Sequence, residues 1–255
     1  MPLDGVVAAT RRVGHEMSIA NALFRIRLPM GAGVPLMMGG AVRRRYRHLT
    51  PRYLADRAWL MAYERRHPDA PWLTSQAVAF LERWLRPDLV GFEWGSGRST
   101  VWFATRVRRL VSIEDDPPWY EKVARRLDET GLAAKVSYRR VTVDDVADRD
   151  HPYVSAISEH RDGTLHFCLI DGVTRLRAPC ALACLPKLEP GGIAIVDNAN
   201  WFLPRACRSR APNSRGPGDG YASADWQEFD RRVAGWPCTW TSNGVTDTAI
   251  WTKPA

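Results

Sequence analysis

Phe92-Glu93-Trp94-Gly95-Ser96-Gly97-Arg98-Ser99-Thr100 is the stretch of sequence that decides the fold. Its first residues end an apolar run that begins at Leu89, and the residues from Ser99 onward have the pattern of a helix. Gly95 and Gly97 allow the backbone to turn sharply and to approach a ligand closely. A helix that starts directly after such a loop offers unpaired N–H groups to polar or anionic ligand groups. The stretch therefore predicts a strand, a ligand-binding loop and a helix.

An acidic residue at the end of the next apolar run strengthens this interpretation. Glu114 closes the run Leu110–Glu114 and follows Glu93 by 21 residues. In doubly wound folds an acid at this place hydrogen-bonds the ribose hydroxyls of a nucleotide. A G-x-G loop alone is weak evidence, but the loop and the acid together favour a ligand that contains a nucleoside. The alternative, in which both acids only cap strands, stays open.

Strand and helix patterns alternate after Pro87, which predicts a parallel sheet with helices on both faces. A hairpin around Asn243-Gly244 adds an antiparallel strand at the end. The predicted fold class is α/β, with a Rossmann-like, doubly wound, mostly parallel seven-stranded sheet, one antiparallel strand and a mostly helical N-terminal extension. We expect residues 1–70 to form an arm with helices, and residues 71–255 to form the ligand-binding domain. The predicted strands are Leu89–Trp94, Leu110–Glu114, Val136–Val143, Leu165–Ile170, Ile193–Val196, Cys238–Thr241 and Thr248–Trp251.

The composition is that of a globular protein with a basic excess. The chain has 255 residues, of which 45% are hydrophobic and 25% charged, and this argues against global disorder. No apolar run approaches the ~18–20 residues of a membrane span. The net charge of +8 is carried almost wholly by arginine, concentrated at Arg43–Arg47 and Arg205–Arg215. A basic excess is typical of proteins that bind nucleic acid or anions, but its spread along the chain makes a nucleic-acid partner a weak expectation.

The five cysteines show no C-x-x-C spacing, which predicts free thiols in a reducing compartment. The N-terminus lacks the pattern of a signal peptide. We therefore expect a cytoplasmic protein.

Three motifs together resemble those of the class I S-adenosylmethionine (SAM)-dependent methyltransferases. The pattern E-x-G-x-G-x-S-T at 93–100 resembles the first motif of that family. Leu188-Glu189-Pro190-Gly191-Gly192 is similar to the family's L-x-P-G-G before strand five, and the C-terminal hairpin is similar to its reversed seventh strand. The resemblance covers about residues 71–253. A dinucleotide-binding loop would prefer a third glycine where Ser99 or Thr100 stands, which disfavours a nicotinamide-dependent oxidoreductase.

The resemblance implies SAM as the cofactor and assigns residues to it. Gly95, Ser96 and Gly97 would line the methionine part, and Glu93 would reach its amino group. Glu114 would hold the ribose. The rest of the implied cofactor-binding set comprises Ser99 and Thr100 in the first motif, Asp115 and Trp119 near the ribose and adenine, and Asp144 or Asp145 at the adenine amine.

A second polar cluster follows strands four and five. Asp171 comes directly after strand four, and Asp197-Asn198 comes at the end of strand five. Because the carboxyl ends of parallel strands form the ligand crevice, we expect these side chains to meet. Their oxygen atoms suit Mg²⁺, and the cluster resembles the metal site of catechol-type and macrolide-sugar-type O-methyltransferases. The alternative is that these residues tie loops together without a metal.

The chemistry of methyl transfer to oxygen gives this cluster a role. A hydroxyl is a poor nucleophile until its proton leaves, and a divalent cation or a nearby base assists that loss. We predict that Asp171 and Asp197 are catalytic, with Asp171 as metal ligand, base or both. The predicted substrate contacts are Arg175, Asn200 and Trp201, and Arg175 has the alternative role of locking Asp171. The possible further bases, each with a surface or core role favoured, are His151, His160 and His166.

The sequence thus predicts a SAM-dependent O-methyltransferase that acts on a hydroxyl of a small molecule, with a sugar or another natural product as acceptor. Mg²⁺ is the expected metal, and a homodimer is a possible assembly. An RNA methyltransferase that uses the basic surface is one alternative. A methyltransferase fold that binds but does not catalyse is another.

Overall fold

Seven strands form one mixed sheet in the order β3-β2-β1-β4-β5-β7-β6. The computed structural model describes residues 48–143, 149–206, 208–209 and 211–255. Strands β1 to β5 run parallel, and β7 is antiparallel to both β5 and β6. The predicted doubly wound sheet with a reversed strand is confirmed. The strands are β1 (Val90–Trp94), β2 (Arg109–Glu114), β3 (Val136–Arg140), β4 (Leu165–Ile170), β5 (Leu188–Asp197), β6 (Cys238–Ser242) and β7 (Asp247–Thr252).

The helices begin where the sequence offers caps. Thr50 and Thr74 each accept a backbone N–H of the first helical turn, and Asp116 does the same ahead of Pro117. The helices are α1 (Pro51–Arg66), α2 (Ser75–Trp84), α3 (Arg98–Ala104), α4 (Pro117–Glu129), α5 (Pro152–Ser155), α6 (Arg177–Lys187) and α7 (Ala224–Arg232). Helix α6 starts ahead of Pro179, which lies in its first turn, where a missing N–H costs no helical hydrogen bond. Arg177 is the first residue of this helix.

The hydrophobic core lies on both faces of the sheet. In β4, Phe167 and Leu169 pack on one side, whereas Cys168 and Ile170 pack on the other, and all four are fully buried. A strand that is buried on both faces reads as a continuous apolar run, as this one does. Gly91 of β1 is required by this packing, since a Cβ atom there would lie 2.0 Å from the Phe167 ring.

Some of the predicted features lie outside the described residues, namely the basic run Arg43–Arg47 within residues 1–47, Asp144 and Asp145 within residues 144–148, and Cys207. Among the described cysteines, Cys168, Cys180 and Cys184 are buried free thiols and Cys238 is exposed. Within the same part of the chain, no helix combines the length and the apolar character needed to cross a membrane.

Candidate functional site

The glycine loop between β1 and α3 packs directly against the segment that follows β4. Gly95 has a φ of +86°, and its N–H donates to the Ile113 carbonyl at 2.9 Å. A Cβ atom at Gly95 would lie 2.7 Å from backbone atoms of Asp171 and Gly172. Both the positive φ and this close approach require glycine. The loop and the second polar cluster of the sequence therefore belong to one site.

Glu114 ties the glycine loop to the end of β2. One carboxylate oxygen, Oε2, accepts the Ser96 N–H at 2.9 Å and the Ser96 hydroxyl at 2.6 Å. The other, Oε1, accepts the N–H groups of Asp115 and Asp116, each at 3.0 Å. A carboxylate accepts about four hydrogen bonds, so Glu114 already uses its whole capacity. It is the residue that fixes the shape of both loops.

Glu93 is fully buried beneath the glycine loop, and one of its carboxylate oxygens is available to accept a hydrogen bond. Its Oε1 accepts the hydroxyls of Thr100 and Ser112, the latter at 2.7 Å. Its Oε2 is buried without a hydrogen-bond partner among the residues that the structure describes, although the Ser99 hydroxyl lies near enough to lower the pKa. Burial dominates and raises the pKa of Glu93 to about 7. Such an unpaired buried acceptor is costly, and a cationic donor would satisfy it.

Trp119 covers the glycine loop from α4. Its Nε1–H donates to the Ser96 carbonyl at 2.8 Å, and a Cβ atom at Gly97 would lie 3.6 Å from its ring. The indole stacks on Trp72 with ring centres 6.1 Å apart. Nearby, burial and then the charge of Glu114 raise the pKa of Asp115 to about 6. The structure thus brings together every predicted cofactor residue except Asp144, which lies outside the described part.

Tyr138 belongs to the same site, although no sequence motif pointed to it. It lies on β3, and its hydroxyl is 2.7 Å from the Ser96 hydroxyl. Its ring stacks on Tyr120 with centres 4.4 Å apart. The position of Tyr138 depends on the pairing of β3 with β2, which places it opposite Ser112.

The ends of β4 and β5 are held together by the guanidinium group of Arg177. Its Nη2 donates to the Asp171 carboxylate and to the Asp171 carbonyl, both at 2.7 Å. Its Nη1 donates to the Asn198 side-chain oxygen at 2.9 Å and to the Asp197 carbonyl at 3.0 Å. Its Nε donates to the Gly172 carbonyl at 2.9 Å. The sequence assigned Arg175 either to the substrate or to Asp171; its side chain lies on the exposed surface, and Arg177 is an arginine that bonds the Asp171 carboxylate.

The arrangement does not fit the predicted magnesium site. Arg177 occupies oxygens of Asp171 and Asn198, and the Thr248 hydroxyl donates to Oδ1 of Asp197 at 3.0 Å. In the described part of the chain, no three His, Cys, Asp or Glu side chains are grouped so that they could hold a metal ion. Each of the three side chains that were expected to bind Mg²⁺ has one oxygen that already accepts a hydrogen bond, and the donor to Asp171 and to Asn198 is itself a cation.

The two aspartates differ in their exposure. The side chain of Asp171 is 26% exposed, whereas Asp197 is 4% exposed. Burial, and then the neighbouring charge of Asp171, raise the pKa of Asp197 to about 8. Asp171 is therefore the carboxylate that an acceptor molecule could reach.

A groove of about 500 Å³ opens beside these strand ends. Its lining includes Thr174, shortly after Asp171, and Trp201, shortly after Asn198. The other lining residues come mainly from the long irregular loop and include Phe202, Asn213, Ser214, Arg215 and Asp219. Trp201, a predicted substrate contact, thus lines the groove. Asn200 is fully buried and both ends of its amide are used, by Ser214 and by the Asp247 N–H, which favours a structural role.

The three histidines have structural contacts. His151 caps α5 by accepting the Tyr153 N–H, and His166 accepts the Val90 N–H, both at 3.0 Å. His160 packs edge-on against Phe92, and burial lowers its pKa. These placements agree with the core and surface roles that the sequence favoured over a catalytic one.

Several solved methyltransferase structures are similar to this chain. The O-methyltransferase TomG from Streptomyces achromogenes, involved in tomaymycin synthesis and solved with SAM, has 19% identity and a TM-score of 0.50, covering 77% of this chain and 89% of TomG. A methyltransferase from Geobacter sulfurreducens has 16% identity and a TM-score of 0.49, with coverages of 84% and 97%. An RNA methyltransferase from Salinibacter ruber, solved with S-adenosylhomocysteine, has 15% identity and a TM-score of 0.43, with coverages of 72% and 94%. No protein-family model and no curated protein matches the sequence.

The fold is the Rossmann-like methyltransferase fold, as the sequence predicted. At these identities the likeness extends to the fold alone.

Proposed function

We propose that the protein is a SAM-dependent methyltransferase that methylates a hydroxyl group of a small molecule, with a sugar as the acceptor class. The observation that carries this proposal is the buried, unpartnered Oε2 of Glu93 beneath the glycine loop. The methionine part of SAM carries an ammonium group, which is the cationic donor that this oxygen lacks. When bound, SAM supplies an activated methyl group on a sulfonium.

Glu93 and Glu114 hold the two ends of the cofactor in this proposal. The Glu93 carboxylate accepts the ammonium group. Glu114 accepts one ribose hydroxyl once the Ser96 hydroxyl turns towards Tyr138, whose hydroxyl is 2.7 Å away. The backbone of the glycine loop lies along the methionine part, and Trp119 keeps the loop covered. Asp115 and Asp144 remain proposed contacts of the ribose and adenine.

Asp171 is the proposed general base. It lies against Gly95 of the glycine loop and is partly exposed, so it can face both the methyl donor and the acceptor. Removing the proton of the attacking hydroxyl contributes typically ~10²–10⁴-fold to rate. Alignment of the attacking oxygen with the methyl group contributes further.

The groove at Trp201 supports a sugar acceptor. It combines the half-buried Trp201 ring with polar side chains at Asn213, Ser214 and Asp219, whereas Phe202 lines it from the core, where its ring stacks on Trp226. Aromatic faces suit the apolar faces of a sugar ring, and the polar groups suit its hydroxyls. Residues 71–255 are the proposed catalytic domain, residues 1–70 a cover for the acceptor or an oligomer contact, and the cytoplasm the proposed location.

The arginines of the long loop do not favour the RNA alternative. Arg205 pairs with Asp230 at 2.8 Å, and Arg208 pairs with Asp56 at 2.5 Å. Arg215 donates to the carbonyls of Trp201, Asp219 and Gly220. Among the loop arginines that the structure describes, these contacts tie the charges to neighbouring parts of the chain and do not gather them into a groove for a phosphate backbone.

The test of the proposal has two stages. Calorimetric titration of the purified protein should show stoichiometric binding of SAM. Incubation with methyl-labelled SAM and panels of sugars, phenols and RNA should then transfer label to a sugar. Label transfer to RNA would replace the acceptor assignment, and SAM binding without transfer to any panel would favour a binding protein. Absence of SAM binding would refute the proposal.

The affinity for SAM should depend on pH through Glu93. With a pKa of about 7 the carboxyl is mostly neutral at pH 5.5 and half ionised at pH 7. Because the ionised form attracts the ammonium group, which stays protonated over this range, affinity should rise about tenfold from pH 5.5 to 7.0. Calorimetry at each pH measures this. Glu93→Gln should bind more weakly and lose the pH dependence; an unchanged pH profile in that variant would remove Glu93 from the ammonium site.

A further inference from the structure

Arg177 is the most completely hydrogen-bonded cation in the described part of the site. A guanidinium group has five N–H donors, and the contacts of Arg177 comprise five donor–acceptor pairs at 2.7–3.0 Å. The residue is 7% exposed, and its guanidinium carbon lies 5.8 Å from the centre of the Phe202 ring. A buried charge is tolerated only with such pairing.

The acceptors of Arg177 come from both sides of the crevice. Asp171 and Gly172 follow β4, whereas Asp197 and Asn198 end β5. The guanidinium group therefore joins two neighbouring strand ends. A divalent cation bound to the same carboxylate and amide would join them in the same way. Asn198 has a φ of +54°, a left-handed conformation that turns its side-chain oxygen towards this bridge.

We propose that Arg177 is a positioning residue that replaces a divalent cation, and that this site works without metal. The inference rests on the proposed function, because it concerns how Asp171 is held for proton removal. Entry of Mg²⁺ would bring a second cation next to the guanidinium group and would have to displace its bonds to Asp171 and Asn198. A buried, five-fold bonded arginine resists that exchange.

Metal binding tests the inference without relying on turnover. The electron spin resonance signal of free Mn²⁺ falls when the ion binds to protein. Wild type should leave the signal unchanged at submillimolar Mn²⁺, whereas Arg177→Ala should gain one site, because Asp171 and Asn198 lose their cationic partner. Arg86→Met, which removes an exposed arginine, should behave as wild type. A metal site in wild type that is lost in Asp171→Asn would overturn the inference.

Once label transfer has identified an acceptor, measurements of turnover with that acceptor test the positioning role of Arg177. Turnover of wild type should be unchanged in EDTA. Arg177→Lys should lower kcat at least tenfold with a smaller effect on the Kd for SAM, since an ammonium group cannot span both loops. Added guanidinium should restore part of the kcat of Arg177→Ala, which loss of folding alone would not allow. Loss of wild-type activity in EDTA with recovery in Mg²⁺ would overturn the inference.

The outcomes separate this inference from the proposed function. If no acceptor is methylated, the proposed function fails and the Mn²⁺ measurement still decides the metal question. If Arg177→Ala does not fold, the EDTA and Mn²⁺ results on wild type, together with the Arg177→Lys variant, decide whether the site works without metal.

Discussion

Glu114→Ala is expected to weaken SAM binding at least 100-fold, or by about 2.7 kcal/mol. The carboxylate is the common acceptor for Ser96, Asp115 and Asp116, so its removal releases the glycine loop as well as the proposed ribose contact. Calorimetric titration measures the Kd, and circular dichroism verifies that the variant is folded.

Glu114→Gln is the matched control for this change. It keeps the size of the side chain, but one end of its amide donates where both carboxylate oxygens accepted. We expect a loss in affinity that lies between wild type and the alanine variant. A Kd within threefold of wild type for Glu114→Ala would show that the cofactor is held elsewhere.

The second large effect is expected for Asp171→Asn, which should lower kcat by about 10²–10⁴-fold, the usual contribution of a general base. The amide keeps the shape of the side chain, and its oxygen can still accept from Arg177. The Kd for SAM should therefore stay within about threefold, because the proposed cofactor contacts do not involve this side chain. Initial rates of label transfer measure the effect.

Asp197→Asn distinguishes the role of the Asp197 carboxylate from that of the Asp171 carboxylate. Asp197 is 4% exposed and accepts the Thr248 hydroxyl, so its replacement should lower kcat less than the change at Asp171. If Asp197→Asn is the more damaging variant, or if Asp171→Asn keeps a third of wild-type turnover, the base must be reassigned.

Local patterns were sufficient to predict the sheet and the glycine loop. The alternation of apolar runs with helical periods determined β1 to β5, and the Asn243-Gly244 turn determined the reversed strand. β3 ends at Arg140 although the apolar pattern continues to Val143. The reason is tertiary, since β3 is an edge strand whose register with β2 stops at Glu114.

The magnesium prediction was the part that local patterns could not decide. The residue types at the strand ends indicate which oxygen atoms lie close together. They do not indicate whether a positively charged side chain of the same protein already bonds those oxygens. Arg177 is one of many arginines, and its role follows from the start of α6 and the pairing of β4 with β5. Pro179 was an incomplete signal, because a proline in the first turn fits a helix that begins at Arg177 but does not by itself place the helix start there.

The place of β7 in the sheet has a consequence for how the chain reaches this structure. β7 inserts between β5 and β6 and supplies the pairing partners of Ile193 and Ile195. Because it is the last strand to be synthesised, β5 keeps an open, apolar edge until the ribosome has made nearly all of these residues. Such long-range pairing is slow, and an open edge invites association between chains. Aggregation during expression should therefore be governed by the final hairpin more than by the residues around the glycine loop.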